Sequence, residues 1–207
     1  MRHNGLGFLT HMTASPTISV ERHPWQPFVP PTAKILLLGS FPPPRARWSM
    51  DFYYPNFQND MWRIVGLLFF GDKNHFVLPH AKAFDYDKIT AFCSATGIAL
   101  YDTATAVRRL QNNASDKFLE IVEPTDIETL LAQIPYCTIV AVTGEKAAET
   151  AAAQLHCATP AVGAYVDCPH HAVRLYRMPS TSRAYPLALE RKAAFYATLF
   201  RATGLPV

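Results

Sequence analysis

The sequence predicts an α/β protein: three layers, α/β/α, around a central four-stranded parallel sheet. Two observations carry this. Four short apolar runs have the length and continuity of strands buried on both faces, at Ile35 to Leu38, Ile98 to Tyr101, Thr138 to Val142 and Val173 to Met178. Helical patterns separate and follow them, and strands alternating with helices imply a parallel sheet covered on both sides.

Each element has its own justification. Asn59 to Phe70, Asp87 to Thr96, Asp126 to Gln133 and Glu145 to Leu155 read as helices, the last an Ala-rich helix former. A final amphipathic helix runs from Leu187 to Thr203, closed by Gly204 and Pro206. Val173 to Met178 alternates with Arg174 and Arg177, which marks it as the expected sheet edge. Residues 1–31 hold five prolines, from Pro16 to Pro31, and read as a flexible or extended arm. Residues 32–207 form one domain.

Bulk composition narrows the classes. The chain has 207 residues, 49% hydrophobic and 17% charged, enough for one sizeable core. A net charge of +3 permits a polyanionic partner without demanding one. No apolar window is long enough to span a membrane, and "MRHNGLGFLTHMTASP" lacks the continuous apolar stretch of a secretory signal. Cys93, Cys137, Cys157 and Cys168 form no C-x-x-C pair, so neither a metal nor another cofactor is expected. A cytoplasmic monomer with reduced thiols is the expectation.

In a parallel sheet the ligand site lies beyond the carboxyl ends of the strands. Four segments meet there: Gly39-Ser40-Phe41-Pro42-Pro43, Asp102-Thr103-Ala104-Thr105 with Arg108-Arg109, Thr143-Gly144-Glu145-Lys146, and Pro179-Ser180-Thr181-Ser182-Arg183. Gly39 permits close backbone approach, and Pro42 stiffens the turn. Asp102 at a strand end either caps the next turn or works as a hydrogen-bond acceptor or base. Hydroxyls with a cation behind them, at 180–183, suit phosphate oxygens. Asn59 is a helix N-cap or a site residue, and Trp62 reads as core. Phe41, Tyr53, Tyr54 and Phe57 are hard to bury together without a planar ligand among them. G-x-S-x-G, Walker and G-x-G-x-x-G patterns are all absent.

"LLLGSFPP", "ALYDTATAVR", "VTGEKA" and "MPSTSRAYP" resemble, in order, four motifs of the uracil-DNA glycosylase superfamily. "YYPNFQNDMW" resembles the N-x-F-W stretch of its hypoxanthine-DNA (deoxyinosine) glycosylase branch, and the mismatch-specific branch is also near. The first motif carries Ser40-Phe41 where other members have an activating Asp, and the loop at 179–183 has no histidine.

The resemblance implies a monofunctional glycosylase that removes uracil or hypoxanthine from DNA, its partner being DNA with a damaged or mismatched base. It implies catalytic roles for Asn59, Asp102 and Ser40. Gly39, Phe41, Pro42, Tyr54 and Asn56 would hold the base. Pro179, Ser180, Thr181, Ser182, Arg183 and Lys146 would grip DNA, with Arg183 filling the vacated stack. The alternatives are a binding relative without catalysis and a small-molecule hydrolase using Asp102 as base.

Overall fold

A computed structural model describes residues 18–110 and 116–207. The four expected strands are present as β2 (Ile35–Gly39), β3 (Ile98–Asp102), β6 (Ile139–Thr143) and β8 (Val173–Met178). All four run parallel, in the order β3-β2-β6-β8. Every residue of β2, β3 and β6 is buried, as expected of strands covered on both faces.

The expected edge is corrected. A fifth strand, β7 (Tyr165–Cys168), pairs antiparallel with β8 and takes the edge. The two arginines of β8 are instead partly buried, and Arg174 lies over the rings of Tyr165 and Tyr176, 5.4 and 5.8 Å from their centroids.

Helices α1 (Met61–Phe70), α2 (Tyr86–Thr96), α3 (Ile127–Gln133), α4 (Glu145–Gln154) and α5 (Leu189–Ala202) complete the layers. α1 packs on α5 and α3 on α4. With right-handed crossovers, this puts one pair on each face of the sheet. Local chemistry sets their ends: Asp85 and Asp126 accept backbone N–H bonds from Lys88 and Thr129, while Gly71 and Gly97 close α1 and α2 with left-handed φ. α1 begins two residues later than expected because Asn59 Oδ1 accepts from Met61 N–H in an Asx turn and Asp60 becomes the cap.

A second sheet was not anticipated. β1 (Val20–Arg22), β4 (Ala104–Arg109) and β5 (Leu119–Pro124) form an antiparallel trio in the order β1-β4-β5. The arm was expected over residues 1–31. Its first 17 lie outside the described residues, and from Val20 it is strand-paired along the domain, with Phe28 bridged to Leu100. The chain turns from β3 into β4 at Asp102-Thr103, where Thr125 donates its hydroxyl to the Asp102 carbonyl at 2.7 Å. Asp102 therefore does not cap a helical turn.

Candidate functional site

A cavity of about 160 Å³ opens beyond the carboxyl ends of β2, β3 and β6. This is where the switch in strand order places a crevice in an open parallel sheet. Its floor follows from the register. Gly39 is paired with Asp102, and Thr103 N–H donates to the Gly39 carbonyl at 2.8 Å. An added Cβ at Gly39 would run into Asp102 Oδ1 and come within 3.9 Å of the Tyr54 hydroxyl. Glycine at 39 is thus required by close approach: it lets a backbone strand end, a carboxylate and a phenol converge.

Tyr54 holds a left-handed φ of 53°, uncommon for a bulky residue and costing about 1–3 kcal/mol. That backbone brings its hydroxyl 3.5 Å from Thr143 Oγ1 at the end of β6. Burial pushes the phenol well above its ordinary range, so it stays a neutral hydrogen-bonding group.

Asp102 is buried, and its Oδ2 lies 3.0 Å from Nε2 of His23, a side chain only 2% exposed. An ionised carboxylate can only accept, so Nε2 donates. Nδ1 then accepts from Trp25 N–H at 3.2 Å, or in the imidazolium donates to the Trp25 carbonyl at 2.9 Å. Both states satisfy the ring.

Asp116 enters from the turn Asp116–Phe118 and receives a 2.6 Å hydrogen bond from the Ser40 hydroxyl. Burial raises its pKa above the usual carboxylate range. The Ser40 bond opposes that shift, the Asp102 charge adds to it, and Arg109 and Lys146 counter it. Arg109 itself donates to Glu21 in β1 and to the Pro42 carbonyl, tying the arm to the proline turn.

The loop after β8 forms the far wall. Asn59 and Ser182 are bridge partners, and Asp60 N–H donates to the Thr181 carbonyl at 2.8 Å. Behind them lies a buried charge cluster. Lys192, fully buried, donates to Asp60 Oδ2 at 2.9 Å and to the Ser182 carbonyl at 2.8 Å. Arg183 Nε donates to Asp60 Oδ1 at 3.1 Å, and the Tyr196 hydroxyl donates to the Pro179 carbonyl. The loop is thereby clamped to the start of α1.

The cavity brings together Gly39, Ser40, Phe41, Pro42, Tyr54, Asn56, Asn59, Asp102, Ser180, Thr181 and Ser182, eleven of the fourteen residues singled out in the sequence. Pro179 lines an adjoining groove with Lys117, Glu145 and Arg177, and that groove shares Arg47, Asp116, Ser180 and Ser182 with the cavity. Arg183 is held by Asp60 outside the cavity. Lys146 stands in the first turn of α4, close enough to act on the Asp116 charge.

The aromatic expectation needs correcting. Tyr53 is core, its hydroxyl donating to the Gln26 carbonyl, and Phe57 packs on Phe84 and under the Arg63 guanidinium. They bury without a planar ligand, leaving Phe41 and Tyr54 to the cavity. Phe41 rests on Ala104, Val107 and Leu119, with its ring 5.5 Å from the His23 ring.

Sequence reasoning missed His23, Trp25, Arg47 and Asp116. His23 was readable only as part of an arm, and no local pattern distinguishes Asp116 from a solvated carboxylate.

Among solved structures, the chain is similar to the solution NMR structure of a protein described as a candidate uracil DNA glycosylase from Methanosarcina acetivorans. The two are 21% identical with a TM-score of 0.64, the match covering 90% of this chain and 99% of that one. No family model and no curated protein matches the sequence. Among the described residues no helix is long and apolar enough to cross a membrane. At this level of identity the likeness speaks to architecture, and this chain has the α/β fold of that solved structure.

Proposed function

We propose that the chain is a monofunctional DNA glycosylase that hydrolyses the N-glycosidic bond of a deaminated base turned out of the duplex. One observation carries the reading: a carboxylate, Asp102, held against the Gly39 backbone at the floor of a small cavity walled by Phe41 and Tyr54. Such a floor selects by hydrogen-bond type. Asp102 accepts from the ring N–H of a keto base, uracil N3–H or hypoxanthine N1–H, and repels the ring acceptor of cytosine. Phe41 offers a stacking face, while Tyr54 and Pro42 limit size. Asn56 and Asn59 also line the cavity. Asn59 spends its carbonyl on the Met61 N–H and keeps its amide N–H₂ for a base carbonyl or the water.

The clamped loop suits the backbone on either side of such a base. Ser180, Thr181 and Ser182 would offer hydroxyls to phosphate oxygens, and Arg47 and Lys117 add positive charge along the adjoining groove, where Arg177 is paired with Glu145. The resemblance in the motifs and the shared fold with the archaeal structure support the same class of substrate. A base in the stack cannot reach this cavity, so extrusion is part of the cycle.

The test is a panel of end-labelled duplexes carrying a single uracil, hypoxanthine, xanthine or mismatched thymine, treated with alkali to cut abasic sites. Cleavage at a keto-base lesion, with an unmodified cytosine duplex left intact, is the expected result. Lesion binding without cleavage at any base would show a binding relative. No preference for lesion duplexes at any salt concentration would end the proposal.

A further inference from the structure

We propose that Asp116 is the general base of this site, holding and deprotonating the water that attacks the sugar, with Ser40 as its positioning partner. The inference rests on the glycosylase reading. The segment after β2 presents Ser40-Phe41 and no carboxylate of its own, and the chain delivers one there from 76 residues away: Asp116 Oδ2 receives the Ser40 hydroxyl at 2.6 Å. Ser40 is itself buried, so the bond fixes the carboxylate at the end of β2. On the other side stands Gly144, with an added Cβ there 3.9 Å from Asp116 Oδ2. Asp116 thus sits between the ends of the two central strands and opens on both the cavity and the groove.

The two carboxylates of the cavity have different partners and so different roles. Asp102 is bonded to the His23 imidazole and faces Gly39, where it reads the base. Asp116 is bonded to a neutral hydroxyl, and burial raises its proton affinity, which suits a group that must take a proton. The charged groups acting on it are Asp102, which raises that affinity, and Arg109 and Lys146, which lower it. The neutral Tyr54 phenol is also near.

In the step, the C1′–N bond breaks and its electron pair leaves with the base. The water oxygen bonds to C1′, and one water proton passes to Asp116. The base anion takes a proton from solvent, and Asp116 later returns its own, so the net change is the addition of one water.

The experiment is single-turnover cleavage of a keto-base duplex by the full chain and by Asp116→Asn and Ser40→Ala, from about pH 5 to 9, with lesion-duplex affinity measured in parallel. Asp116→Asn should lose roughly 100-fold or more in rate, the scale of general-base catalysis, while affinity stays within about threefold. The acid limb of the wild-type profile should vanish in Asp116→Asn. In Ser40→Ala the limb should move to higher pH, because the lost hydrogen bond had favoured the ionised form. A rate within about threefold of wild type in Asp116→Asn, or equal losses of rate and affinity, overturns the proposal. Should that variant fold poorly, an unmoved limb in Ser40→Ala overturns it alone. An active wild type with an active Asp116→Asn sinks only the role of Asp116. A wild type inactive on every lesion sinks the glycosylase reading and this inference together.

Discussion

His23 Nε2 lies 3.0 Å from Asp102 Oδ2, although 79 residues separate the two in the chain. The contact joins the N-terminal segment to the floor of the cavity. It makes the arm part of the site rather than a wrapping, because β1 pairs with β4 immediately beyond Asp102. Rings enclose the imidazole, with Tyr101 at 4.6 Å and Phe41 at 5.5 Å, so little water reaches the pair.

His23→Ala is expected to leave the Asp102 carboxylate short of a buried partner, at a cost of about 1–3 kcal/mol. Urea unfolding checks the magnitude, and lesion-duplex affinity should fall with it. His23→Gln keeps a side-chain N–H₂ and should recover part of both. Wild-type stability and affinity in His23→Ala would show the contact to be incidental.

Gly39→Ala tests the convergence from the other side. The new Cβ collides with Asp102 Oδ1, so the carboxylate must swing away or β2 and β3 must part, costing about 1–3 kcal/mol. A folded protein with a small loss of melting temperature and a base-release rate at least about tenfold lower is expected. Unimpaired release would mean that Asp102 does not face Gly39 in the protein in solution.

The sheet and most of the cavity were legible because they rest on local signals. Continuous apolar runs mark β2, β3, β6 and β8, and the rim follows from where parallel strands end. What stayed hidden is non-local. Ala104–Arg109 mixes small, apolar and cationic residues because only part of the strand is buried, so it showed neither a period of two nor a continuous run. His23 and Asp116 become site residues only through pairings 79 and 76 residues long, which no window on the sequence contains. The edge misreading has the same origin, since β7, which covers β8, is four residues long with exposed positions.

Lys192 and Arg183 both bond Asp60, yet they should differ sharply when removed. Lys192 is fully buried and holds both Asp60 and the Ser182 carbonyl, while the Arg183 side chain is 48% exposed. Lys192→Met breaks a buried pair and strands its partner, an expected loss of about 3–5 kcal/mol. Arg183→Ala removes a solvent-screened contact and should cost about 1 kcal/mol or less. Denaturant midpoints of the two variants decide this. Equal losses would show that the loop is not clamped from beneath by Lys192.

Asp116→Asn carries an expectation for stability that is independent of turnover. Burial raises the carboxyl's pKa in the folded chain above its unfolded value, so over the interval between the two the native state binds more protons than the unfolded one. Stability contributed by this group therefore falls as pH rises through that interval. Above it, the ionised Asp116 burdens the fold by a constant amount. Asparagine keeps an acceptor for the Ser40 hydroxyl and cannot ionise. The variant should thus melt at or above the wild-type temperature at neutral and alkaline pH, and the advantage should shrink as pH is lowered. Melting curves of both proteins from about pH 4 to 9 measure it. A variant less stable than wild type at high pH would mean that Arg109 and Lys146 make the charge a net support of the fold. A gain in stability joined to a loss of base release would mark Asp116 as a residue kept for chemistry at the expense of the fold.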